Sequence, residues 1–398
     1  MDERQGGGIG KKFLAFCFWT AVLGGALSAS GAARVKREAA LVRLSPGEIP
    51  ALRIDDEAQG SANAGSRELF RTALLRQLPE CSRLPRSFEL AGVRVARERW
   101  CEGTLRWFLK ELDSGASLQA VFERARTTLE WYRSTGKPDT REVQFTGYYF
   151  PIHKARLKPD SVYRYPLYKA PRDLKKPYLT RAQIEKGALK GRGLELAYLD
   201  NPVDPYILQV QGSGAVLIED EAGRTTRMIL NYADENGRPY TSLGKLMREA
   251  GIPEEYINLQ GIKKYFTAIH PEEWSRFADR NQSYVFFRKA DTGPFGSSGA
   301  ILTPKHSIAV DEKVFPMGLA GIISTERPDG IAGDQALSWK PFSQFVITQD
   351  TGGAIRTPGR VDVFWGEDAY AEVAAGRTDR TGELYFLLLP AELMKTVF

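Results

Sequence analysis

Two carboxylates twelve residues apart, Asp350 and Asp362, are the side chains of this sequence best spaced to do chemistry. Asp350 follows the apolar run 345–347, which reads as a buried strand delivering it to a turn built on Gly352-Gly353. Asp362 lies inside residues 361–365, where alternation of period two puts Asp362 and Phe364 on one face. Val361, Val363 and Trp365 take the other. A third acid, Asp311, ends Ile308-Ala309-Val310 much as Asp350 ends its own strand. An acid beside an aromatic ring on one sheet face suits a sugar site. On spacing alone a plainer reading stands beside it: Asp350 bonds its Gly-Gly turn, and Asp362 is a solvated strand residue.

The elements that must position these acids are mainly strands. Residues 284–288, 307–311, 344–348, 361–365 and 384–389 read as strands separated by Gly and Pro, a pattern that suggests a small closed barrel. Upstream, residues 66–78 carry Leu69, Phe70, Ala73, Leu74 and Leu78 on one helical face. A second stripe, Leu118, Val121, Phe122, Ala125 and Leu129, follows Ser117 as a candidate cap. These helices are expected to cover the sheet. The character changes at Val143 to Tyr149, a polar-aromatic strand, and short strands continue to about residue 284. Residues 206–211 and 227–232 are the strongest strand candidates there; helical patterns occupy 242–250 and 254–266.

With 398 residues, 42% apolar and 26% charged, the chain is an ordinary globular protein of two or three domains. Its formal charge of +6 and the lack of a basic stripe with interleaved aromatics argue against nucleic acid as a partner. Residues 1–33 have a basic end, an apolar segment and small residues for cleavage, the parts of a secretory leader. Export to the periplasm is expected, with no integral membrane segment after cleavage. Cys17 follows bulky Phe16 inside the apolar run, so no lipid anchor is read. Residues 34–65, rich in small residues near Gly60, form a flexible lead-in. Cys81 and Cys101 are an even pair in an exported chain; they permit a disulfide, or remain two buried thiols. His153, His270 and His306 are scattered, with no metal-ligand spacing, so neither a metal nor another cofactor is expected.

Taken in order, several stretches resemble the membrane-bound lytic transglycosylase A family of cell-wall enzymes. They are Phe145-Thr146-Gly147-Tyr148-Tyr149, Val210-Gln211-Gly212-Ser213-Gly214, Ser242-Leu243-Gly244-Lys245, Ser283-Tyr284-Val285-Phe286-Phe287 and Ser307-Ile308-Ala309-Val310-Asp311. Asp350-Thr351-Gly352-Gly353-Ala354-Ile355 and Asp362-Val363-Phe364-Trp365-Gly366 complete the set. The resemblance implies a mainly β protein with helices: a double-psi β-barrel carrying three aspartates, with a second β-domain inserted and a groove between them. The corresponding division is residues 66–150 and 285–398 for the barrel domain and 151–284 for the insert. It also implies that Asp362 acts in the chemistry, with Asp350 and Asp311 in support. Peptidoglycan glycan strands are then the partner, bound by a monomer whose setting is a cell-wall synthesis or remodelling complex, at or near the outer membrane. The resemblance further implies that residues 209–214 face 145–149 across the groove. Thr146, Tyr148, Gln209, Gln211, Ser213 and Phe364 would then contact sugar, with Gly147, Gly212 and Gly214 leaving backbone open.

An ordinary glycosidase needs two carboxylates, because water must be activated or a sugar ester formed. A lytic transglycosylase, an enzyme of the exotransglycosylase class, uses the sugar's own C6 hydroxyl. One acid can then protonate the leaving oxygen and afterwards accept the hydroxyl proton. Such an acid needs burial or a nearby like charge, and Asp350 is a candidate source of that charge. Two alternatives share the residues: a non-catalytic peptidoglycan-binding protein, and a water-using hydrolase with Asp362 and Asp350 as acid and base.

Overall fold

The computed structural model describes residues 40–56, 65–220 and 222–398. The leader assigned to residues 1–33, including Cys17, and the small-residue tract at 57–64 lie outside the described residues. In chain order, β1 (Leu41–Arg43) precedes three helices, α1 (Ser66–Gln77), α2 (Thr104–Asp113) and α3 (Leu118–Thr128). The strands β2 (Glu130–Ser134) and β3 (Val143–Tyr148) follow. The insert contributes β4 (Ile152–Ala155), α4 (Val203–Gln211), β5 (Ser213–Glu219), β6 (Thr225–Glu235) and β7 (Val285–Ala290). The chain then returns with β8 (Ser307–Ala309), β9 (Ala320–Pro328), β10 (Trp339–Asp350), β11 (Arg360–Phe364), α5 (Ala369–Arg377) and β12 (Asp379–Leu388).

The barrel closes because β12 is long enough to serve two neighbours in succession. Its first half pairs with β3, and its second with β2. Ladder order therefore runs β12–β9–β10–β8–β11–β3 and back to β12, six strands with β2 and β1 added outside. Closure removes the free edges an open sheet would present. Helices cover the barrel as the apolar stripes predict. Phe70 of α1 stacks on Phe345 of β10 at 5.0 Å between ring centres, and Phe108 of α2 meets both. Ser117 caps α3, its hydroxyl accepting the N–H of Ala120. Cys81 and Cys101 form a buried disulfide between the segments after α1 and before α2. Residues 41–43, assigned from composition to the lead-in, are instead an edge strand on β2.

The insert is a four-stranded sheet ordered β7–β6–β5–β4, with its own core around Leu167, Leu208, Val216 and Phe287. A small third cluster joins the two domains: Tyr148, Ala309, Ile355 and Phe364 from the barrel pack with Ala215 and Ile229 of the insert. No helix among the described residues is long and apolar enough to cross a membrane.

One expected strand is a helix. Residues 206–211 lie in α4, because the Asn201 side chain accepts the N–H groups of Val203 and Asp204 and starts the turn. Gly212, at φ 77°, ends it in the left-handed conformation. Every residue of α4 is buried, so hydrophobicity carried no period to separate the two structures. The expected helix over 254–266 is interrupted rather than continuous: Glu254–Tyr256 is a 3-10 turn, Leu259–Lys264 is α-helical, capped by Asn258, and Tyr265–Ile269 continues it as a π-helix.

Candidate active site

Strand register brings the acids together. Ala309 of β8 is the Cα partner of Asp350 on one side and of Asp362 on the other. Asp362 is in turn the partner of Thr146 on β3. Residues in register share a sheet face, so Asp350, Ala309, Asp362 and Thr146 form one row across four strands. The acids' backbones are two strand spacings, roughly 10 Å, apart, with only the Ala309 methyl between them. All four residues are fully buried. Asp362 is therefore no solvated strand residue.

The carboxylates are held differently. Asp362 Oδ1 accepts from the Thr146 hydroxyl and from Arg360 Nε at 3.3 Å, while Arg360 Nη2 also donates to Thr146 Oγ1 at 3.1 Å. Asp362 Oδ2 is buried and has no hydrogen-bond partner among the described residues. Asp350 has both oxygens occupied. Its Oδ1 accepts the N–H groups of Thr351 (2.9 Å) and Ser297 (3.0 Å), and its Oδ2 accepts the Tyr148 hydroxyl at 3.2 Å. Burial pushes the Asp350 carboxyl up to about 7; these three bonds oppose the rise and the charge of Asp362 adds to it. Asp311 acts as a clamp: Oδ1 accepts the N–H of Lys313, and Oδ2 that of Thr357, whose φ of 74° needs such support.

The ring of Phe364 lies 5.2 Å from that of Tyr148, both buried beneath the row in the cluster shared with the insert. Arg360 escaped the sequence reading, although its i, i+2 spacing to Asp362 placed it on the acid's face. The N–H of Ser297 carried no signal, since a backbone donor has no side-chain signature.

Residues 144–288 match the MltA specific insert domain and residues 306–388 the 3D domain, together more than half of the chain. The membrane-bound lytic murein transglycosylase A of Vibrio cholerae is 37% identical over 247 residues, 62% of this chain and 65% of its own length. The chain thus spans just under two thirds of that relative. The protein of the same name from Escherichia coli K12 is 29% identical over 65% of this chain and 69% of its own. Among solved structures, E. coli MltA with bound chitohexaose superposes with a TM-score of 0.67 at 22% identity, covering 85% of this chain and 94% of that one. This chain belongs to the MltA family.

Within this MltA fold, the insert segment sits otherwise than the expected strand implied. Gln209 and Gln211 are on a helix and both are buried. Gln209 Oε1 accepts from Arg181 Nη2 at 2.6 Å, and Gln211 Oε1 accepts the N–H of Tyr149 at 3.1 Å. Gly147 and Gly214 are closely packed rather than open. A Cβ on Gly147 would run into Trp365, and one on Gly214 into Leu208 and Pro151. Ser213 remains part-exposed, paired in register with Asn231.

Proposed function

We propose that this chain is a lytic transglycosylase. It cleaves the β-1,4 bond between N-acetylmuramic acid and N-acetylglucosamine in peptidoglycan and leaves 1,6-anhydromuramic ends. The observation that carries the reading is the asymmetry of Asp362: one oxygen fixed by Thr146 and Arg360, the other buried with no hydrogen-bond partner among the described residues. A single such group can serve twice. Protonated on Oδ2, it donates to the glycosidic oxygen as the C1–O4 bond breaks. The C6 hydroxyl of the same sugar closes on C1, and its proton returns to Oδ2. No water enters and nothing is consumed. Tethering the nucleophile removes much of the entropic barrier a second molecule would face.

In this scheme Asp350, held protonated up to about pH 7 by burial, is a neutral neighbour and neither a second reagent nor the like charge expected from the sequence. A water-using hydrolase needs a second carboxylate oxygen facing substrate, and both oxygens of Asp350 are occupied. A pure binding module would gain nothing from an unpartnered buried carboxylate oxygen, which costs stability. The chitohexaose bound by the E. coli relative supports a glycan with the same β-1,4 backbone as ligand here. A periplasmic location, at the envelope that the relatives' membrane-bound name indicates, fits that substrate.

Asp362→Asn keeps an acceptor for Thr146 and Arg360 and removes only the titrating proton. Cleavage of murein is expected to fall about a thousandfold, with chitohexaose affinity and Tm unchanged. Turnover within tenfold of wild type would remove Asp362 from this role.

A further inference from the structure

A recess opens along β11 from Asp362, with Phe364 in its wall. Its volume is about 280 Å³, and its walls include Leu69 and Arg76 of α1, Leu302, Lys305, Phe364 and Glu367. Phe364 is two residues from Asp362 on the same face of β11, so the recess begins roughly 7 Å along the strand from the acid. Glu367, at its rim, pairs with Arg227 of the insert, Nη1 to Oε1 3.1 Å. The recess therefore lies where barrel and insert meet.

Arg76 is the unusual member of the lining. Its Nη1 donates to the carbonyl of Leu302 (2.8 Å) and to Thr303 Oγ1 (3.0 Å), both neutral acceptors. No carboxylate among the described residues forms an ion pair with it, although it is half-buried and desolvation lowers its pKa. A guanidinium partly removed from water without an acid lacks the partner that would normally offset desolvation. Arg227, which does not line the recess, has one in Glu367. Lys305, on the wall, is buried and holds a left-handed backbone at φ 65°, a cost that non-glycine residues bear mainly at sites with a use for it.

We propose that this recess receives a carboxylate carried on the 3-O-lactyl arm of a muramyl residue, with Arg76 as the group that reads it. The proposal rests on the glycan-cleaving reading above and makes it more specific, from a β-1,4 glycan to one bearing anionic arms. Two sources share this chemistry: the lactyl group's own carboxylate in peptide-free strands, and the carboxylates of an attached peptide. Arg76 is a specificity residue here. It lies apart from the bonds broken and formed, so its contribution belongs in substrate binding.

Three ligands test it: chitohexaose, which has no lactyl arm; glycan strands stripped of peptide; and strands carrying peptide. Arg76→Met is expected to raise KM about tenfold, the scale of one lost charged hydrogen bond, on whichever anionic strand docks there. Its kcat should stay within about twofold and its chitohexaose affinity unchanged. Arg76→Lys should recover most of the loss. A loss on stripped strands assigns the lactyl carboxylate, and one on peptide-bearing strands the peptide. Leu69→Trp fills the recess without touching the bonds of Arg76, and must reproduce the pattern even if Arg76→Met does not fold. Binding of all three ligands is measured beside turnover. Absent cleavage by the wild type then overturns the transglycosylase reading, while the recess is still judged by affinity. Equal losses on chitohexaose and anionic strands, or no change on any ligand, would overturn the proposal.

Discussion

Arg181 in the insert and Asp362 in the barrel are both charged side chains enclosed by protein, and their surroundings differ in kind. Arg181 bonds Glu185 at 2.8 Å, Gln209 at 2.6 Å and the Ser283 carbonyl at 2.8 Å. Its guanidinium also lies 4.8 Å and 5.2 Å from the ring centres of Tyr206 and Tyr284. Its Nε lacks an acceptor among the described residues. These contacts tie the segment before α4 to α4 itself and to the start of β7. Asp362 is enclosed as completely, but one of its two carboxylate oxygens has no hydrogen-bond partner among the described residues, and a second acid lies near it. Burial alone does not separate a structural charge from a reactive one. The group left unsatisfied, and where it faces, does.

The sharpest way to break this contrast is at Arg181. Arg181→Met strands the Gln209 and Ser283 acceptors and is expected to cost about 3–5 kcal/mol of stability, read by urea denaturation. Cleavage per folded molecule should stay within tenfold of wild type. A variant that folds normally yet is inactive would make Arg181 part of the chemistry and erase the distinction. Asp362→Asn is expected to do the reverse, lowering turnover about a thousandfold at unchanged Tm.

Asp350 gives the next effect, through pH. Its folded pKa of about 7 lies above the ordinary 3.8, so stability is lost as pH rises from about 4 to about 7. His306 acts in the opposite sense. Burial between α1 and β10 pushes it down to about 4, opposed by its bonds to the Phe345 carbonyl and Ser66, so stability is lost as pH falls from 6.5 towards 4. Between those limits the folded chain holds one extra proton on Asp350 and lacks one on His306. The two slopes cancel. Asp350→Asn removes one side of this balance. The wild type is expected to be nearly flat in stability from pH 6.5 to 4, and the variant to lose about 3 kcal/mol over that range. Parallel curves for the two proteins would show that Asp350 is ionised throughout.

The acids and the barrel were legible because their signals are local. Alternation through Asp362 and Phe364, and a run ending at Asp350, need only neighbouring residues. The row through Ala309 was not legible, since it depends on registers between strands about forty and fifty residues apart in sequence. Gln209 and Gln211 were misplaced for a different reason. A segment enclosed on all sides has no exposed face to mark its period, and the decisive cues were the cap at Asn201 and the stop at Gly212. Arg76 lies on a helix whose apolar stripe was read correctly. Nothing in that stripe says that the basic residue beside it would find no acid among the described residues.

The most direct test of the account asks where the nucleophile comes from. Murein digested by the wild-type protein in heavy-oxygen water, with the new chain ends analysed by mass spectrometry, should yield 1,6-anhydromuramic ends free of label, because the C6 hydroxyl closes the ring and no water is used. Reducing ends carrying the heavy oxygen would contradict it, and would mean that a water molecule attacks in this site.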